Sequence, residues 1–291
     1  MSILIALIPA IAWGSIGLVS GKLGGNAYQQ TLGMTIGALI FGFGTYFVLH
    51  PTLNTVTWII GILSGLFWAL GQSQQFQAMK NMGVSRAVPM STGMQLVGNT
   101  LAGAILFHEW TSGRDYTLGT IALLVLVLGA TLTSREDPHK KNYQTAENDV
   151  RKGISALLIS TLGYVLYTIV VDFGQHKYGI STVDFVLPQS IGMIIGAAGF
   201  AYGHEAYTSK FTFKNIVTGL FWGVGNVAML MSIPKVGLAT SYSLSQMGII
   251  ISTLGSIYLL GEKKTKREMV YVVSGCLLVI AGGVLLGIMK A

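Results

Sequence analysis

Ten stretches of this chain run apolar for about twenty residues each and carry few charges, at approximately 2–20, 30–49, 55–79, 86–107, 117–134, 153–173, 182–202, 213–232, 238–260 and 269–289. A helix needs about 20 such residues to cross a hydrocarbon core about 30 Å thick. The chain therefore reads as an all-α integral membrane protein with ten transmembrane helices. Composition agrees: of 291 residues 52% are hydrophobic and 10% charged, where a soluble domain carries roughly 25% charged.

The chain also repeats itself. Thr218 to Gly225 reads TGLFWGVG where Ser64 to Gly71 reads SGLFWALG, and in the same register Gln72 falls on Asn226 and Gly83 on Gly237. After a one-residue gap Glu109 falls on Glu262, and earlier Gln30, Gly33 and Gly37 recur as Gln189, Gly192 and Gly196. Two halves of five spans follow, 1–134 and 153–291, joined by a hydrophilic linker at 135–152 whose mixed charge and lack of apolar periodicity predict a solvated loop.

Because five is odd, the second half must enter the membrane from the opposite side, so the repeat is inverted. The charges fit: Arg114 stands alone after the fourth span, whereas four Lys/Arg follow the ninth. Inverted repeats of this kind are common in secondary transporters, which bind substrate near the midplane.

Assigning loops alternately to the two sides places fourteen Lys/Arg on one side and four on the other. The positive-inside rule makes the first side cytoplasmic and both termini external. The net charge of +7 is thus a matter of topology; the basic residues lie scattered over short loops, not on one face with aromatics, and nucleic acid is not an expected partner. The first span lacks a basic n-region and a cleavage site and is expected to be retained. Cys276, the single cysteine, excludes a disulfide framework and a cysteine metal site. Gly33xxxGly37 and Gly192xxxGly196 are expected packing faces, since small residues let membrane helices approach closely.

Candidate chemistry concentrates on corresponding helices of the halves. Trp68, Gln72 and Gln75 recur at i, i+4, i+7 and share a helical face; Ser91, Gln95 and Asn99 recur every four residues in the next span. The second half offers Trp222 and Asn226, then Tyr242, Ser245 and Gln246. Amides are unfavourable in hydrocarbon unless partnered, so these residues face the protein interior or a wet cavity. Singly, each also fits interhelical glue. As a set, amides that both donate and accept, beside aromatic faces that pack on C–H surfaces, suit a small neutral polyhydroxylated ligand such as a sugar.

Asp172, near the end of the sixth span, is the candidate for coupling to protons, while Glu109 and Glu262 read first as interfacial charges. The five histidines lie in loops or at span ends and no HExxH spacing occurs, so neither a metal nor another cofactor is called for. Hydrolysis would need a nucleophile beside a base, which the spans lack. A carrier is favoured over an enzyme or channel; an exporter of another metabolite and a non-transporting scaffold stay open.

The segments PMSTGMQLVGNTLAGAILFHEW (Pro89 to Trp110), ATSYSLSQMGIIISTLGSIYLLGEKK (Ala239 to Lys264) and AWGSIGLVSGKLGG (Ala12 to Gly25) resemble the glucose/ribose porter family of the drug/metabolite transporter superfamily, over the whole chain. The endings His108-Glu109 and Gly261-Glu262 resemble the superfamily's GE pattern. The resemblance implies bacterial plasma-membrane uptake of a monosaccharide, most simply glucose, by proton symport. Amides and aromatic faces serve glucose and ribose alike, so both stay open as substrates.

Overall fold

The computed structural model describes residues 2–106, 108, 110–135, 137, 149–236, 244–245 and 247–289. Every regular element among them is an α-helix: α1 (Ser2–Leu23), α2 (Ala27–Leu49), α3 (Thr55–Met82), α4 (Val84–Leu106), α5 (Gly113–Ser134), α6 (Val150–Tyr178), α7 (Thr182–Ala201), α8 (Lys210–Lys214), α9 (Ile216–Val236), α10 (Gly248–Leu259) and α11 (Lys266–Met289). Seven of them, α1, α2, α3, α5, α6, α7 and α11, are long and apolar enough to cross a membrane. α4 has the length but carries Arg86, Gln95 and Asn99 among its 23 residues. The protein is an all-α integral membrane protein.

Local sequence sets the helix starts. Asn26 with Gln29, Ser112 with Asp115, and Ser181 with Asp184 form capping boxes at α2, α5 and α7. Thr265 and Glu268 do the same at α11, each bonding the other's backbone N–H at 3.1 Å. Such boxes satisfy two of the orphan donors at a helix start. Ser112 and Thr265, like Asp115 and Glu268, are equivalent in the register that sets Glu109 on Glu262.

The eighth expected span starts three residues late and runs as one helix, α9. Asn215 separates it from the short α8, because its side chain competes for backbone partners: Nδ2 donates to the carbonyls of Phe211 at 2.8 Å and Gly24 at 3.2 Å, while Oδ1 accepts from Ser20 Oγ at 2.6 Å.

Two compact units follow, and neither coincides with a half of the sequence. The first joins Met1–Leu18, Ala78–Leu157 and Val224–Ala291. Within it α5 pairs most extensively with α11, around a core that includes Leu96, Leu126, Val272 and Val279. Its polar end is tied by carboxylates. Glu262 accepts from the backbone N–H of Val84 at 2.6 Å and from Ser85, side chain included; it thus caps α4 from across the sequence, favourably placed against the helix dipole. Gly83, at φ +85°, lies against the same carboxylate, which is more than the interfacial charge the sequence suggested. Glu268 meets Arg86 at 2.7 Å with both side chains buried.

The second unit joins Val19–Gln77 and Leu158–Gly223. Its glycines make crossed contacts. A Cβ at Gly37 would overlap Ile216 O and press on Gly219, whereas one at Gly192 would overlap Ile62 O. Conversely, a Cβ at Gly65 would overlap Gln189 O and lie 2.8 Å from Gly192 Cα, and one at Gly219 would overlap Met34 O. So each GxxxG face seats a helix of the opposite half, at backbone contact that only glycine allows.

Candidate functional site

In the second unit α3 and α6 cross where both carry glycine. A Cβ on Gly163 would lie 2.6 Å from Gly71 N, and one on Gly71 would lie 2.9 Å from the Tyr164 ring. Ser160 Oγ closes the crossing by donating to Gly71 O at 2.7 Å. This close approach sets the Tyr164 ring on α3 and carries its hydroxyl to the next residue.

Tyr164 Oη donates to Gln72 Oε1 at 2.8 Å, and Gln72 Nε2 donates to Gln75 Oε1 at 3.3 Å. Gln72 is 4% exposed, and a buried amide of this kind is tolerable because its oxygen and nitrogen are both partnered. The spacing that put Trp68, Gln72 and Gln75 on one helical face holds, and α6 supplies the hydroxyl that orders them.

Aromatic faces complete the cluster. Trp68 stands edge-on to Tyr164, with centroids 6.3 Å apart at 80°, and to Trp222, 5.8 Å apart at 65°. Edge-to-face pairs fix ring orientation. A rigid indole beside an ordered amide pair combines a surface for C–H groups with donors and acceptors for hydroxyls. Among the described residues no group of three His, Cys, Asp or Glu could hold a metal.

The model of the sugar transport protein family matches residues 4–289. The chain belongs to that family. It is 57% identical over the full length of both chains to an Enterococcus faecalis protein named "Putative sugar uptake protein". It is 48% identical to the glucose uptake protein GlcU of Bacillus subtilis, covering 100% of this chain and 99% of that one. A crystal structure with 14% identity superposes with a TM-score of 0.59 over 98% of this chain and 96% of its own; this likeness concerns the fold alone.

The remaining sequence candidates fall elsewhere. Gln95 and Asn99 on α4 and Asn226 on α9 belong to the first unit; Gln95 Nε2 donates to Ser91 Oγ at 2.9 Å. Tyr242 and Gln246, and likewise Glu109, lie outside the described residues. Asp172 sits two turns after Tyr164 on α6, and its Oδ1 lies 3.6 Å from His176 Nδ1. Tyr164 is the residue that site selection from sequence missed. A tyrosine flanked by Gly163, with Ser160 one turn earlier, was the available signal: small residues mark where a neighbour's backbone comes close.

Proposed function

We propose that this protein takes up a monosaccharide, glucose in the first instance, by proton symport across the bacterial plasma membrane. The observation that carries the reading is the cluster of buried Trp68 and Tyr164 with half-buried Trp222 around the Gln72–Gln75 pair. It offers a neutral pyranose an apolar face and hydrogen-bonding groups with no net charge, so sugar selectivity follows from chemistry that would reject an ionic ligand. The relatives' names, sugar uptake and glucose uptake, support the same direction and substrate class.

The reading assigns further substrate contacts to Gln95, Asn99 and Asn226, and to Tyr242 and Gln246. Asp172 is assigned the coupled proton; its neighbour His176 shares the end of α6, with Nδ1 3.6 Å from the carboxylate. The two halves, 1–134 and 153–291, serve as inverted repeats whose relative movement exposes the site alternately, with both termini external.

The test is radiolabelled glucose uptake into proteoliposomes of the purified protein, with and without an inward proton gradient, and with ribose and an amino acid as unlabelled competitors. Gradient-stimulated uptake blocked by a sugar but not by the amino acid is expected. Folded protein that moves no sugar under either condition would overturn the reading.

A further inference from the structure

Gln189 and Gln30 occupy the same position in the two halves, yet they do different things. Gln30 Nε2 donates to Ser20 O at 3.2 Å and Gly24 O at 3.5 Å, so its amide ties α2 to the end of α1. Gln189, on α7 and 6% exposed, has an Nε2 that makes no hydrogen bond of normal geometry to protein, although it faces the Tyr167 hydroxyl. A buried donor left unmade is destabilising. A glutamine here is therefore not explained by packing.

Its placement supplies the reason. The backbone of Gln189 lies in the slot formed by Gly61 and Gly65: a Cβ on Gly61 would stand 3.2 Å from Gln189 N, and one on Gly65 would overlap Gln189 O. Gly61, Gly65, Trp68 and Gln72 follow one another at i, i+4, i+7 and i+11, a single stripe of α3. Gln189 is thus fixed about one turn along that stripe from Trp68. Its amide also neighbours the Tyr167 hydroxyl, and Tyr167 is one turn from Tyr164 on α6. The pair Tyr167–Gln189 repeats, one turn along, the tyrosine–glutamine pairing of Tyr164 with Gln72.

We propose that Gln189 is a substrate-contacting residue whose side-chain N–H donates to one hydroxyl oxygen of the transported sugar; this rests on the sugar-carrier reading above. A sugar hydroxyl is a suitable acceptor, being neutral, and it can in turn donate a hydrogen bond to the Tyr167 oxygen. Gln189 then selects for the presence and position of one hydroxyl, while the Trp68 cluster holds the ring.

The test compares inhibition of glucose uptake by glucose analogues that each lack one hydroxyl, in the wild-type protein and in Gln189→Met and Gln189→Leu. In the wild type one analogue is expected to compete about tenfold more weakly than glucose, the loss typical of one buried hydrogen bond. In Gln189→Met glucose itself weakens about tenfold, and that analogue and glucose become equal, while the other analogues keep their wild-type ratios. Gln189→Leu, likewise unable to bond the hydroxyl, gives the same equality should the methionine protein not fold. Gln30→Met, its repeat counterpart, is expected to lower thermal stability without altering any ratio. Unchanged analogue ratios in a folded, transporting Gln189 variant would overturn the proposal and leave the carrier reading intact; absence of uptake in the wild type would overturn the carrier reading itself.

Discussion

The Tyr164 hydroxyl reaches from the second half of the sequence to Gln72 in the first, donating to its amide oxygen across 2.8 Å with both residues buried. Removing that hydroxyl leaves a buried acceptor short of its donor while the ring stays packed on Gly71. Tyr164→Phe is expected to cost about 1–2 kcal/mol of stability and to raise the KM for sugar severalfold. Thermal unfolding in detergent and uptake kinetics measure the two effects; an unchanged KM would separate Gln72 from substrate.

Trp68 is clamped edge-on by two other aromatic rings, so its role as a platform depends on shape as well as apolarity. Trp68→Phe is expected to retain partial uptake and Trp68→Leu to lose it, with both proteins still reaching the membrane. Equal activity of the two variants in the proteoliposome assay would show that no aromatic face is needed.

At the crossing of α3 and α6 the tolerance differs between the two glycines. Gly163→Ala would drive a methyl against backbone, which cannot move without shifting a helix, whereas Gly71→Ala would press on a tyrosine ring. Overpacking of this sort costs about 1–3 kcal/mol. The larger loss of thermal stability is expected for Gly163→Ala, and the larger loss of transport relative to stability for Gly71→Ala, which displaces Tyr164.

The Arg86–Glu268 pair lies buried at one end of the first unit, and Glu268 also caps α11. Arg86→Met alone strands a buried carboxylate and is expected to destabilise by about 3–5 kcal/mol. The double variant Arg86→Met with Glu268→Gln is expected to recover much of that loss, since no uncompensated charge remains. Melting temperatures of the wild type, both single variants and the double variant form the cycle that decides it.

Asp172→Asn is expected to abolish stimulation of uptake by an inward proton gradient while leaving downhill exchange of sugar. Counterflow, which needs no net proton movement, isolates the second property. If the asparagine protein responds to the gradient as the wild type does, the coupled proton belongs elsewhere.

Much of this was legible in the residues themselves. Hydrophobic length marks seven of the ten expected spans as helices able to cross a membrane, and the i, i+4, i+7 spacing of Trp68, Gln72 and Gln75 puts them on one face. What could not be read was which partners complete them. Tyr164 stands ninety-two positions from Gln72, and only the glycine crossing brings them together. The carboxylate of Glu262 looked interfacial because a trans cap has no local signature: its N–H partners lie at Val84 and Ser85. The separation of α8 from α9 at Asn215 was hidden for the same reason, since Ser20 and Gly24, which hold its side chain, come from the other end of the chain.

The crossed glycine contacts have a consequence for how the polypeptide is put together. Gly37 is shaped to the backbone at Ile216 and Gly219, and Gly65 to the backbone at Gln189 and Gly192, so neither half can seat these glycines against itself. In the proposed two-half organisation each half supplies the backbone that fills the other's glycine slots, and covalent linkage delivers it at fixed stoichiometry and high local concentration.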